Sequence, residues 1–376
     1  MNQALDSEFL DAAQDLARQG LGQVSPNPAV GAVLVKDGEI VGRGFHTWHG
    51  RKHAEVLALE EAGARAAGAT CYVTLEPCSH QGRTGPCVDA LIEARVARVV
   101  AAMQDPNPIV AGSGFARLRA AGIDVQLEES RREAAEQLNQ PYIHFMRTGR
   151  PLVTLKTALT LDGKIAAPDD NRGWITSDEA RQHVQMLRHE ADAMITGIGT
   201  VLADDCLLTD RTQRPRSRPL LRMVVDSQLR IPLHSKMVTS AEITDGEPDL
   251  VMAGTSAASP ERRKALEARG VRVLEFDGAG GRVDLYRAIQ WLGQQQRHNV
   301  LVEAGSKINW AFLEAQLIDR VFIYYAPKIL GGTESLPMAG GVGRRRRVDA
   351  IRIRDLRIHQ ITSQEFAVEG RVEKDL

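Results

Sequence analysis

Cysteine is scarce: the chain has four in 376 residues. That excludes a disulfide-stapled scaffold and suits a reducing compartment. Net charge is equally small, with 47 Lys and Arg against 48 Asp and Glu. No basic footprint points to nucleic acid, so an anionic substrate has to be met by a local cluster of cations. No apolar run approaches the roughly 18 residues that a membrane-spanning helix needs. The opening Met1-Asn-Gln-Ala-Leu-Asp-Ser-Glu-Phe lacks the basic start and apolar core of a signal peptide. A cytoplasmic location is expected. Repeats and low-complexity segments are absent too, which excludes solenoid and fibrous architectures.

What the chain does have is length for two domains, each with its own core, and one dense stretch of chemistry between His46 and Cys87. His53-Ala-Glu55 is followed by Pro77-Cys78 and by Cys87. One imidazole and two thiolates leave the fourth tetrahedral position of a zinc ion open, and the metal lowers the pKa of water held there from 15.7 to about 7. A glutamate not used as a ligand can then carry protons. H-x-E followed by P-C-x-x-C is the mark of nucleobase zinc deaminases. Here the second cysteine comes late, after Cys78-Ser-His-Gln-Gly-Arg-Thr-Gly-Pro. The competing reading is a structural zinc site, or unrelated buried cysteines and a core histidine. Closed structural sites, however, use four protein ligands and no spare acid.

Taken in order, the residues predict a helix over 7–20, then a hairpin, Val30–Val35 with Ile40–Gly44, turning at Asp37-Gly38. A helix opens at His53, a strand runs from Cys71 to Leu75, and a second helix opens at Pro86-Cys87. The dipole at that helix start is expected to favour the Cys87 thiolate. A strand over Val96–Met103, a helix over 113–121 and a strand over Ile123–Leu127 complete an α/β domain. Gln140-Pro-Tyr-Ile-His-Phe carries the chain out of it, and the boundary is expected near 147, giving domains 1–146 and 147–376. The second half again alternates strands and helices. Ser177 is expected to cap a helix, and Ala193–Thr196 and Asn299–Glu303 each run into a glycine turn, Gly197-Ile-Gly199-Thr200 and Ala304-Gly305-Ser306. Both turns are candidate phosphate cradles, because helix-start N–H groups are unpaired and glycine admits an anion. The bland alternative is chain reversal. Arg344–Arg347 reads as a solvated loop.

The stretch Thr74-Leu-Glu-Pro-Cys-Ser-His-Gln-Gly-Arg-Thr-Gly-Pro-Cys87, with Pro26-Asn-Pro-Ala-Val-Gly31, Gly44-Phe-His46 and Gln104-Asp-Pro-Asn-Pro108, resembles the bacterial bifunctional riboflavin-biosynthesis deaminase–reductases. So do Leu155-Lys156, Leu161-Asp-Gly-Lys-Ile-Ala166, Trp174-Ile-Thr-Ser177, Gly199-Thr-Val-Leu-Ala-Asp-Asp205, Asp226-Ser227, Val302-Glu-Ala-Gly305 and Ala326-Pro327. The resemblance spans nearly the whole chain in the family's order. The long Cys–Cys spacing separates it from cytidine and tRNA adenosine deaminases.

This resemblance implies a cytidine-deaminase-like α/β/α layered domain followed by a dihydrofolate-reductase-like α/β domain. It implies zinc-dependent hydrolysis of the 2-amine of a diaminopyrimidinone carrying a phosphoribosylamino group, then NADPH-dependent reduction of the ribosyl group to ribityl. His53, Cys78 and Cys87 become zinc ligands and Glu55 the proton shuttle. Asn27, His46, Asp105 and Asn107 match positions that hold the pyrimidine or its ribose. Ala158, Trp174, Thr200, Asp204 and Ser227 match cofactor positions, as does the loop Gly305, Ser306, Lys307, Ile308, Asn309, Trp310 and Ala311. Arg172, Arg188, Leu208, Arg211 and Glu303 match substrate positions. A homo-oligomer, dimer or tetramer, is expected, with a small-molecule substrate and neither nucleic acid nor membrane as partner.

The residues themselves support parts of this. Arg172, Arg188 and Arg211 offer the forked donors that phosphate prefers. Lys156, mid-strand among apolar residues, is costly unless used, which makes it a catalytic candidate. Trp174 alone reads more readily as core than as cofactor wall. Lys52, Gly85 and Cys206 stand where relatives commonly have proline, and Arg172 where they have a small polar residue. The alternatives are a cytidine or nucleic-acid zinc deaminase with an accessory domain, and a non-enzymatic zinc protein.

Overall fold

The structure, a computed structural model, describes residues 3–47, 52–80, 85–108, 111–169 and 172–374. Part of the Cys78–Cys87 stretch, residues 81–84, lies outside the described residues. The chain divides into two compact units, Met1–Gly149 with Pro215–Arg218, and Arg150–Arg214 with Pro219–Leu376. Among the described residues no helix is long and apolar enough to cross a membrane.

The first unit runs α1 (Gln3–Gln19), β1 (Gly31–Lys36), β2 (Glu39–Phe45), α2 (Ala54–Ala62), β3 (Thr70–Val73), α3 (Cys87–Glu93), β4 (Arg98–Ala101), α4 (Ser113–Ala120), β5 (Asp124–Leu127), α5 (Arg132–Leu138) and α6 (Gln140–Thr148). Its five strands form one sheet in the order β2-β1-β3-β4-β5. The hairpin turns at Asp37 and Gly38, both with positive φ, the backbone that a two-residue hairpin loop requires. Gly31 pairs with Phe45 and Ala32 with Gly44, so Gly31 and Gly44 point to opposite faces. A side chain on Gly31 would run into Ala13 O of α1, and one on Gly44 into Ala54 O of α2. The two helices therefore lie close on opposite faces, and the α/β/α layering follows. Val33, Leu34, Val73, Val99 and Val100 fill its core. The Gln140–Phe145 stretch is helical as α6, because Pro141 sits in its first turn, where a missing N–H costs nothing.

The second unit runs β6 (Leu152–Thr160), β7 (Lys164–Ala166), α7 (Asp178–Glu190), β8 (Ala193–Gly197), α8 (Ile198–Asp204), β9 (Leu221–Val225), α9 (Lys236–Thr239), β10 (Ile243–Thr244), β11 (Glu247–Pro248) and β12 (Leu250–Gly254). It continues through α10 (Pro260–Glu267), β13 (Arg272–Glu275), α11 (Leu285–Gln294), β14 (Asn299–Val302), α12 (Ser306–Glu314), β15 (Arg320–Ala326), β16 (Leu336–Pro337), β17 (Ile353–Gln360) and β18 (Phe366–Val372). The main sheet has the order β13-β12-β9-β8-β14-β6-β15-β18-β17. From β13 to β15 every neighbouring pair is parallel, and β18 closes antiparallel to β15. Strand β14, late in the chain, is inserted between β8 and β6. Phe312 of α12 and Ile289 and Leu292 of α11 pack with Ile195, Val300 and Val302 on one face. On the other, Ala180 and Val184 of α7 pack with Phe322 and Tyr324.

Two short pairs, β10 with β11 and β7 with β16, are too brief to leave a periodicity in the sequence. Ser177 caps α7 as expected, its side chain accepting from Ala180 N at 3.2 Å.

Candidate functional site

The first site is built on two helix starts and a strand end. His53 is the N-cap of α2 with extended backbone, which turns its ring off the helix while Glu55 sits in the first turn. Cys87 opens α3 behind Pro86, and Cys78 lies on the loop after β3. His53 Nδ1 is 3.0 Å from Cys87 Sγ and 3.4 Å from Cys78 Sγ. The three ligand atoms lie within 4.8 Å of one another. One imidazole and two thiols, with no fourth protein ligand in the group among the described residues, are the donor set of an open zinc site.

Glu55 is buried beside these ligands. Burial, with the Cys78 charge added, pushes its carboxyl up to about 7. A carboxyl in that range exchanges protons near neutrality. Without a metal, the Cys78 thiol is the more acidic of the two, and a bound zinc takes both sulfurs as thiolates. Cys78 is brought down to about 4 by a hydrogen bond from the Cys87 thiol, helped by His53 and by the Cys87 N–H at 3.3 Å. Cys87, the donor in that pair and buried, is raised. The helix start acts through the N–H it offers to Cys78.

The four predicted pyrimidine and ribose residues fall around this set. His46 Nδ1 donates to Lys52 O at 2.9 Å, which leaves Nε2 facing Asn27 Nδ2 at 3.0 Å. Burial lowers the His46 pKa, so the ring is neutral and Nε2 accepts. Its ring stands edge-on to His53 at 5.1 Å. Asp105 Oδ1 accepts from Asn107 N at 2.8 Å and from Tyr142 O–H at 3.3 Å, and burial raises its pKa. Sequence reasoning missed Tyr142 and the buried Glu76, which holds the Asp105 N–H at 3.2 Å. Neither announces itself by a local spacing, since each meets Asp105 from a distant part of the chain.

The second site lies at the carboxyl edge of the larger sheet. Lys156 of β6, Arg188 of α7 and Glu303 just past β14 come together. Glu303 Oε1 accepts from Arg188 Nε at 2.8 Å, and Oε2 from Arg188 Nη2 at 3.0 Å and Lys156 Nζ at 3.2 Å. Burial alone would raise the Glu303 carboxyl, but the two cations outweigh it and hold it at about 2. Arg188 Nη1 donates to Thr209 O at 3.3 Å, so the fork expected to face a phosphate grips this protein's own carboxylate. Tyr324, missed in the sequence, places its ring 5.7 Å from Lys156 Nζ and its hydroxyl 2.6 Å from His183 Nδ1.

Chain direction reverses at the same edge. From β8 the chain moves to β9 on one side, and from β14 to β15 on the other. Open α/β sheets bind ligands at such a switch point, outside the carboxyl ends of the strands. Both glycine turns are there, but Gly197 is not a cradle: a Cβ on it would stand 2.5 Å from Ile308 Cγ1, so this glycine makes room for α12. Gly199 faces open space, and a Cβ on Gly305 would meet only Thr200 Oγ1, at 3.6 Å. The stretch from Gly305 opens a helix, with Gly305 its N-cap and Ser306, Lys307, Ile308, Asn309, Trp310 and Ala311 its first turns. Ser306 Oγ, Asn309 Oδ1 and Thr196 Oγ1 are buried without a hydrogen-bond partner among the described residues. Such groups at a helix start fit a polar, anionic ligand.

The remaining predicted residues are more scattered. Ala158 is half-buried two places beyond Lys156, and Ser227 follows β9 with its carbonyl accepting from Thr255 Oγ1 at 2.9 Å. Asp204 ends α8, raised by burial. Trp174 is not core: it is 67% exposed, with the Arg181 guanidinium 4.8 Å over its ring. Leu208 is packed in the core near Ile198 and Val201. Arg172 and Arg211 are exposed.

Fold and sites together define a zinc-deaminase domain joined to an α/β reductase domain. Family models divide the chain the same way: the cytidine and deoxycytidylate deaminase zinc-binding region matches residues 3–103, and the RibD C-terminal domain matches residues 151–365. The chain belongs to the RibD family, the bifunctional deaminase–reductases of riboflavin biosynthesis. It is 46% identical to the riboflavin biosynthesis protein RibD of Escherichia coli over 87% of this chain and 89% of that one. The Actinobacillus pleuropneumoniae protein is 41% identical over 93% and 91%. Acinetobacter baumannii RibD superposes with a TM-score of 0.86 at 38% identity, covering 99% of this chain and 100% of its own. A diaminohydroxyphosphoribosylaminopyrimidine deaminase/5-amino-6-(5-phosphoribosylamino)uracil reductase of Thermotoga maritima does so at 0.82 and 33%, covering 99% of both.

Proposed function

We propose that the first domain removes the 2-amine of 2,5-diamino-6-(5-phosphoribosylamino)pyrimidin-4(3H)-one and that the second reduces the ribosyl group of the product to ribityl. The observation that carries this is the pair of glutamates: one beside an open His-Cys-Cys set, the other locked between Lys156 and Arg188 on the same chain. Zinc held by His53, Cys78 and Cys87 would act as a Lewis acid that activates water. Glu55 is placed to carry two protons in turn: one from the attacking water to the ring nitrogen beside the carbon under attack, and a second from the hydroxyl formed on that carbon to the amine, which leaves as ammonia. Asn27 and neutral His46 orient the base, and Asp105 and Asn107 hold the base or its ribose.

In the second domain NADPH would supply the hydride. Gly305, Ser306 and the first turn of α12 receive its pyrophosphate, Thr200, Asp204, Ser227 and Ala158 line it, and Trp174 covers it. Lys156, oriented by Glu303, hands a proton to the sugar oxygen released when the ribose ring opens. Arg172 and Arg211 face the substrate phosphate, and Leu208 packs beneath it. The division of labour falls at 146/147, in a cytoplasmic homo-oligomer. A fragment starting at Arg147 is expected to reduce substrate that is already deaminated.

The test is ammonia release from the pyrimidine nucleotide, free cytidine and RNA, followed by NADPH oxidation. Release from the nucleotide alone, with oxidation only afterwards, is expected. Release from cytidine or RNA would favour the nucleic-acid deaminase instead.

A further inference from the structure

Glu76 sits between β3 and Cys78 and is 3% exposed. Its carboxylate is saturated from the backbone. Oε1 accepts from Gly114 N at 2.9 Å and Phe115 N at 3.3 Å, and Oε2 from Gly112 N at 2.9 Å and Asp105 N at 3.2 Å. A helix start leaves its first N–H groups unpaired, and the N-cap side chain ordinarily takes one of them. The N-cap of α4 is Gly112, which has no side chain to give, so Glu76 caps the helix from across the fold.

The same helix holds the metal loop again beyond Cys78. Ser113 Oγ pairs with Ser79 Oγ at 2.6 Å, and Arg117 Nη1 donates to Ser79 O at 2.8 Å. The chain is thus pinned to α4 on both sides of Cys78, and one carboxylate oxygen joins that assembly to Asp105. With each oxygen accepting two N–H bonds, Glu76 has no free lone pair for a substrate or a travelling proton. Its chemistry is the opposite of that of Glu55.

We infer that Glu76 is a positioning residue for deamination: it sets the Asp105–Asn107 segment in register with the metal loop and acts on the pyrimidine nucleotide through that segment. The inference rests on the reading above that Asp105 and Asn107 hold substrate. Glu76→Gln puts an NH2 against N–H donors and lets the segment withdraw. KM for the nucleotide should rise about tenfold, while zinc per chain and the reductase activity stay unchanged and kcat falls much less. Asn107→Ala should also raise KM, and the double variant should be little worse than the worse single one, because both lesions act on one contact.

A rise in KM for Asn107→Ala without one for Glu76→Gln would overturn the role of Glu76. So would loss of zinc in Glu76→Gln, or fully additive effects. Unchanged KM in Asn107→Ala would remove the reading of the substrate segment, and the inference with it. Should Glu76→Gln fail to fold, Glu76→Asp, which keeps the charge a methylene shorter, carries the same comparison.

Discussion

Glu55 is buried and Glu303 is nearly so, yet one is pushed up to about 7 and the other held at about 2. Desolvation acts on both in the same direction. The neighbours decide the difference: Glu55 has an anionic sulfur close by, whereas Glu303 lies between an ammonium and a guanidinium. The first domain thereby gains a carboxyl that exchanges protons near neutrality. The second gains a permanent anion whose work is to hold two cations in place. Burial alone makes neither; which charges the fold delivers beside the carboxyl makes each.

The contrast breaks most visibly at Glu55. Glu55→Gln is expected to cost deamination on the order of 10²–10⁴-fold, the usual worth of a positioned acid–base group. Zinc content and NADPH-dependent reduction should remain. Ammonia assays with metal analysis check this, and loss of zinc would make Glu55 a ligand rather than a shuttle.

Glu303→Gln should act on the other domain through stability, because Lys156 and Arg188 become buried charges without a counter-ion. About 3–5 kcal/mol is expected, seen as an earlier urea transition for the reductase unit alone. The sign of the pH dependence follows from the depressed value. Glu303 stabilises the fold above its ordinary 4.5 and loses that contribution as pH falls toward about 2. Parent and variant should therefore converge only in acid, and a constant gap would refute the pairing.

Glu55 carries the reverse sign. Raised from 4.5 to about 7, it holds its proton more tightly in the folded chain, so stability of the chelated protein should fall as pH climbs through that window. The loss approaches about 3 kcal/mol by pH ~8. Chelated Glu55→Gln should lack this slope, and parallel melting curves for the two proteins from pH ~4 to ~8 would show the idea to be wrong.

The smallest effect tests the glycine turns. Gly305 has an ordinary φ of −77°, so Gly305→Val should fold, while its branched side chain crowds the approach beside Thr200. The NADPH dissociation constant should rise at least tenfold, about 1.4 kcal/mol, by fluorescence titration. Deamination should not change. Undiminished binding would make the turn a plain chain reversal.

The two sites also differ in how far the sequence disclosed them. His53, Glu55, Cys78 and Cys87 were legible because local spacing and two helix starts assemble them. Lys156 showed itself as an amine among apolar strand residues, but nothing local announces that Arg188, 115 residues before Glu303 in the chain, will grip it. Glu76 and Glu365 were silent for a related reason. Each caps a helix from outside it, Glu76 at α4 and Glu365 through Ser177 N at 2.9 Å at α7, and capping in trans leaves no spacing to read. Arg222, 2% exposed and bound to Asp249 Oδ2 at 2.6 Å, is likewise a core residue that composition assigns to the surface. The layered fold came through because strand and helix periods are local; helix α6 was obscured by the proline in its first turn, and Gly197 by a resemblance to a phosphate turn that turned out to be a packing contact.

The late insertion of β14 sets a timetable for synthesis. Strands β6 and β8 frame the middle of the reductase sheet, but the strand that joins them, Asn299–Val302, is made about a hundred residues after Gly197. At roughly 5–20 residues per second, a nascent chain waits several seconds with two central strand edges unpaired. Pairings so distant in sequence also close slowly, since loop entropy is lost before the contacts repay it. The sheet of the deaminase unit, complete once β5 is made, is under no such delay. In the cell the two halves of one polypeptide will therefore make unequal demands on chaperones, with the reductase sheet exposed to aggregation until its centre strand emerges.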